Sequence, residues 1–244
     1  MPTLLAALLL ALQPASPPAV AAAPAKPFYR AHRAPDCRAW AQVRTGRGGL
    51  PLLEAAYNLW FHGYVTGFNA HGPDPAGDLL GPATWKQLGA FIDDYCARNP
   101  SHLVADALEP LAVDLIGRRP VPASPARRGA ARLATMTVDT TCAEWTRARN
   151  DQLMRTYYGG AVRGYLTAYN RWGPDPSGDA LGPGNDALID PWIDKWCRGQ
   201  SRAGLIQAVA PFIAHLAARR AAGRLPPGKT KAIDPLIPTD PGRR

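Results

Sequence analysis

Two stretches of this 244-residue chain repeat one another, and that duplication limits what it can fold into more than any other feature. Cys37-Arg-Ala-Trp40 matches Cys142-Ala-Glu-Trp145 at an offset of 105, with Arg44 on Arg149. After a four-residue slip the offset is 101 and stays there. Gly63-Tyr64-Val-Thr-Gly-Phe-Asn69 then lies on Gly164-Tyr165-Leu-Thr-Ala-Tyr-Asn170, and the Gly72–Pro82 loop lies on Gly173–Pro183. Phe91-Ile-Asp-Asp-Tyr-Cys96 lies on Trp192-Ile-Asp-Lys-Trp-Cys197, and Pro110 on Pro211. So many matches in register do not arise by chance. Residues 118–135, rich in Pro, Ala and Arg, read as an extended linker between the copies. Two homologous domains follow, residues 36–117 and 136–220, with a disordered basic tail over 221–244.

Each copy reads as helical, and no alternating run suggests a strand. Thr141 and Glu144 form a capping-box pattern that opens a long helix from Cys142 to Asn170. In the first copy Thr45-Gly-Arg-Gly-Gly-Leu-Pro51 splits the equivalent helix in two. A further helix spans Pro82 to Cys96, and its copy starts with Asp190 as cap and Pro191 in the first turn. A last helix begins at Asn99-Pro100 or Ser201 and crosses Pro110 or Pro211. The fold class is therefore all-α: two homologous small helical bundles in tandem.

The four cysteines pair most simply within copies, Cys37 with Cys96 and Cys142 with Cys197, because only that pairing leaves each domain self-contained. In the chain-entropy model each closure contributes roughly 4 kcal/mol. Metal binding is the competing use of these cysteines, but no Cys-x-x-Cys or neighbouring His pair supports it.

Disulfides need an oxidising compartment, and the N-terminus points to one. Leu4–Leu12 is an apolar run, followed by small residues near Ala21–Ala25, which reads as a signal peptide over residues 1–25. It departs from the usual pattern in having no Lys or Arg before the apolar run. No other window is long and apolar enough for a membrane span. The net charge of +9 sits in the connectors and tail, each about +5, while residues 48–116 carry eight acidic groups against two basic ones. Such connectors read as solvated linkers, with weak contact with anionic envelope surfaces as the sharper alternative. Specific nucleic-acid binding would need basic groups on a folded face with interleaved aromatics.

Among candidate functional residues, Asp74 and Asp78 with Asn69, and their copies Asp175 and Asp179 with Asn170, are duplicated polar loop positions. They read as turn chemistry that caps backbone amides. Calcium ligation and catalytic carboxylates are the alternatives, although the ligand count of a calcium loop is missing. Trp60, Tyr64 and Phe68, with Tyr165 and Tyr169, recur at helical spacing; such a stripe is core, or else an exposed face for clients. Gly63 and Gly67, with Gly160, Gly164 and Ala168, recur every fourth residue and call for close packing by another helix. The five histidines are not repeated between copies, which argues against acid–base catalysis. No phosphate loop, nucleophile elbow or zinc-spaced cluster occurs, and no cofactor is expected.

The combination of leader, Cys-x-x-Trp, Gly-Tyr-x-x-Gly helix, aromatic-x-x-x-Tyr-Cys stretch and Asn99-Pro100 resembles small exported bacterial helical proteins. These are the HdeA-type periplasmic acid-stress chaperones and the Tai-class immunity proteins of type VI secretion. The tandem form and greater length depart from both. The resemblance implies a disulfide-clamped helical domain that acts by protein contact, without cofactor or turnover. The leading expectation is an exported, non-enzymatic interaction module whose partner is another protein, with a stress or acid chaperone as one form. Protonating the acidic groups below about pH 4 makes the domain strongly positive and loosens it while the disulfide holds. An immunity protein capping a toxin is the alternative, and an envelope enzyme using Asp74, Asp78 and their copies the third reading.

Overall fold

The computed structural model describes residues 26, 29–46, 51–74, 77–80, 84–118, 140–182 and 185–223. The expected leader, the linker beyond Arg118 and the tail beyond Gly223 lie outside them. Among the described residues the chain is all-helical and has no strand. The first half contributes α1 (Cys37–Arg44), α2 (Pro51–His71), α3 (Trp85–Arg98) and α4 (Val104–Gly117). The second contributes α5 (Cys142–Arg147), α6 (Gln152–Trp172), α7 (Ile189–Cys197) and α8 (Val209–Ala221). No described helix is long and apolar enough to cross a membrane.

Local chemistry explains most helix starts. Asp36 accepts the amide of Ala39 at 2.7 Å to open α1. Thr84 and Gln87 form a reciprocal capping box on α3, and the expected Thr141–Glu144 box opens α5. The single helix expected from Cys142 to Asn170 is instead two. A 3-10 turn at Ala148–Asn150 ends the first, and Asp151 restarts the chain by accepting the amides of Leu153 and Met154, both at 3.0 Å. Both halves thus break between their first two helices. Asp190 does not cap α7, which begins one residue earlier; its carboxylate pairs with Arg163 at 3.0 Å.

The last helices also start later than expected. Isolated bridges Asp36–Leu103 and Thr141–Gly204 hold the preceding segments extended, so α4 opens at Val104 and α8 at Val209 after a 3-10 turn. Pro110 then sits inside α4. Pro211 falls in the first turn of α8, where its missing N–H leaves nothing unsatisfied.

Both disulfides form within halves, Cys37–Cys96 and Cys142–Cys197, with Cα separations of 4.8 and 5.1 Å. No free cysteine remains. Two intramolecular disulfides are consistent with an oxidising, extracytoplasmic compartment. Trp40 and Trp145 are buried in the same clusters as these cysteines. Their indole N–H groups donate to Asp93 at 2.7 Å and Asp194 at 2.8 Å.

An arginine joins each of these carboxylates, but not in the way the duplication suggests. Arg44 reaches Asp93, whereas its aligned partner Arg149 has no such role; Arg155, on α6, reaches Asp194 at 2.7 Å and stacks over Trp145. Arg155 is buried and Arg44 is not. Asp194→Asn is therefore expected to cost about 2 kcal/mol and Asp93→Asn about 1 kcal/mol, because only the first strands a buried cation. Urea denaturation of the two variants measures the difference.

The halves meet along α2 and α6. A Cβ on Gly63 would run into the Ala161 carbonyl, and one on Gly164 into the Trp60 carbonyl. Gly67 is nearly as tight, its Cβ position falling 2.8 Å from both Ala168 Cβ and the Tyr165 carbonyl oxygen. The four-residue glycine spacing thus brings the two backbones together. Ala168 belongs to the first half's core cluster, and Leu59 and Ala70 of α2 pack on the second's.

Candidate functional site

The most elaborate polar arrangement lies where the N-terminal segment Tyr29–Asp36 crosses the second half. This strap enters as backbone: the amide of Arg30 donates to Gly178 O at 2.8 Å, and Asn170 Nδ2 donates to Arg30 O at 2.9 Å. Arg30 Nη2 pairs with Asp186 at 3.1 Å, and Arg30 Nη1 with Asp179 at 3.4 Å. His32 is fully buried. Its Nδ1 lies 2.6 Å from Asp186 and its Nε2 3.0 Å from Asn170 Nδ2. Its backbone amide donates to Thr167 Oγ1 at 2.9 Å, and its carbonyl accepts the indole N–H of Trp60 at 3.0 Å. His32 therefore links α2, α6 and the turn before α7. A basic connector was expected to be solvated; here it is part of the interface.

Burial of Asp186 opposes its ionisation, but the hydrogen bond and charge of His32, with Arg30 and Arg163, hold its carboxyl down at about 2. Burial likewise opposes ionisation of Asp175, yet Arg220 and Ser177 lower it. A second strap-side contact pairs Arg171 with Glu109 and with the Lys26 carbonyl.

The duplicated polar loop residues serve the backbone. Asn69 Oδ1 accepts the Leu79 amide at 2.7 Å, and Asn170 Oδ1 accepts the Ala180 amide at 2.9 Å. Asp74 accepts the amide of Asp78 at 3.3 Å. Asp175 accepts from Ser177 and Arg220, and Asp179 accepts the Gly182 amide. Among the described residues no three His, Cys, Asp or Glu side chains gather as metal ligands.

The aromatic stripes are interior. Trp60, Tyr64 and Phe68 are at most 2% exposed, and Tyr165 and Tyr169 are 5% and 8% exposed. They line the α2–α6 seam and are tied across it. Trp172 Nε1 donates to Tyr64 OH at 3.1 Å, His71 Nε2 lies 3.0 Å from Tyr165 OH, and Phe68 meets Trp172 edge-on. In the folded protein this is no free face for a client. A half-buried aromatic pair lies elsewhere: Trp192 and Trp196 of α7, with Lys195 and Gln200, line a shallow groove. Trp192 stacks on Phe212 and His215.

No family model, curated protein or solved structure matches this chain. The site has to be read from its own chemistry. The described residues assemble carboxylate contacts, at Asp186, Asp179 and Glu109, which close a seam packed with aromatic side chains.

The strap and Asp186 were not singled out by the sequence, although a signal existed. The copies disagree at His62 against Arg163, Trp85 against Asp186, and Gly89 against Asp190. In the first half His62 stacks on Trp85, with ring centroids 3.7 Å apart. In the second half the corresponding positions carry charges and meet the strap. Divergence concentrated on one patch marked where the two copies took different work.

Proposed function

We propose that this chain is an exported, non-enzymatic interaction module made of two copies of one disulfide-clamped bundle, and that acid opens its seam to bind unfolding proteins in the periplasm. The observation that carries this reading is the burial of both aromatic stripes behind carboxylate contacts. Protonating Asp186, Asp179 and Glu109 removes the charges that hold Arg30, His32 and Arg171. The two disulfides then keep each half compact while Trp60, Tyr64, Phe68, Tyr165 and Tyr169 become available to apolar segments. The resemblance to the HdeA-type chaperones points the same way.

The test is the aggregation of a client enzyme denatured at pH 2–3, with and without the protein. Suppression at an equimolar ratio is the expected result, accompanied by dye binding to newly exposed apolar surface. No suppression at that ratio rejects the chaperone reading. The immunity reading draws support from the Trp192–Trp196 groove, which is open at neutral pH and suits a partner that docks on the closed form. It predicts one stable complex in a pull-down at pH 7, lost in Trp196→Ala.

A further inference from the structure

A cavity of about 20 Å³ lies where the strap meets the seam, lined by Arg33, Ala56, Tyr57, Trp60, Thr156, Gly160 and Arg163. That volume admits one water-sized particle and excludes a carboxylate or phosphate. Its walls are unusual for so small a space, because two of the seven residues are arginines from different elements. Arg163 is 5% exposed. Asp190 occupies only its Nη2, and its Nε is buried without a hydrogen-bond partner. Gly159 makes the room for this guanidinium, since a Cβ there would strike it.

Arg33 takes part in no ion pair or side-chain hydrogen bond among the described residues. Its backbone lies at φ 47°, the left-handed region that a long side chain adopts at a cost. Burial and the charge of Arg163 both lower its affinity for its proton. Two like charges therefore face one half-dry space, and the carboxylates nearby, Asp186 and Asp190, are engaged by Arg30, His32 and Arg163. A buried cation without a full set of acceptors calls for an anion.

We propose that this cavity binds a single monatomic anion, chloride in nature, held between Arg33 of the strap and Nε–H of Arg163 on α6. Tyr57 and Trp60 supply the walls from α2. The ion clips three elements together at the point where the halves join. It acts in addition to the acid-labile contacts and does not depend on what the module binds.

The test compares the full chain at pH 7 and constant ionic strength as sodium gluconate is replaced by sodium chloride. A Tm that rises by about 3–6 °C and saturates is expected, because a ligand of the native state alone stabilises it by mass action. Arg33→Gln should abolish the rise. Arg33 bonds no other side chain, so this variant keeps the fold, whereas Arg163→Gln would also break the pair with Asp190. Crystals grown in bromide should give an anomalous peak between the two guanidinium groups. Equal chloride responses in the native chain and Arg33→Gln, or bromide crystals with no peak there, overturn the proposal.

Discussion

Gly164→Ala should lower Tm by roughly 6–12 °C, a loss of about 3 kcal/mol, although it adds one methyl group and improves helix propensity. The new Cβ meets the Trp60 carbonyl, which is backbone within a helix and cannot rotate aside. The helices must separate, and the packing of Trp60, Tyr64 and Tyr165 between them loosens together. Gly63→Ala meets the Ala161 carbonyl in the same way and should cost a similar amount. Gly199→Ala is the control, since nothing lies near its Cβ position and it should be neutral. Thermal unfolding of the three variants by circular dichroism makes the comparison. A small effect at Gly164 would mean that α2 and α6 do not cross this closely in solution.

Acid should destabilise the protein in two steps. His62 is half-buried against Trp85, and that burial lowers its pKa from 6.5 to about 4. The unfolded chain therefore binds that proton first, and stability falls as the pH drops from 6.5 to 4. Asp186 behaves as an acid with a depressed pKa, about 2 against 3.8. Its contribution is whole above 3.8 and disappears as the pH falls towards 2. Allowing for solvent screening, the losses are about 2 kcal/mol for His62 and about 1 kcal/mol for Asp186. Asp175, also lowered, adds to the second step. Urea midpoints measured from pH 7 to 2 should show both declines, with His62→Phe flattening the first and Asp186→Asn the second. With the disulfides reduced, the pH 3 state should expand to the dimensions of an unfolded chain in small-angle scattering; with them intact it should swell only modestly.

The duplication made the helical class, the disulfide pairing and the close glycine packing legible, because each depends on residues repeated in register. The partner of the glycines was not legible. Gly63 and Gly164 face each other's helix, and a repeat pattern is silent on whether a copy packs on its twin or on a neighbour in its own half. The split between α5 and α6 has a local cause: the helix expected from Cys142 to Asn170 runs across Asp151, which caps a new helix instead. Arg30 and His32 were passed over since they lie before the repeat begins and have no counterpart in it. The carboxylate loops are repeated and so drew attention, yet Asp186, which carries the electrostatic weight of the seam, replaces a tryptophan in the other copy.

The strap also sets an order of events. Arg30 leaves the ribosome 149 residues ahead of Asp179 and 156 ahead of Asp186. During that interval Cys37 already has Cys96 within reach, whereas Cys197 follows Asp186, and of the partners of Arg30 and His32 described above only Trp60 precedes α6. Contacts of such long sequence separation form slowly. Closure of the arm is thus later than the first bridge, and a chain truncated before Asp179 would carry a bridged first half with a cationic arm lacking its carboxylate partners.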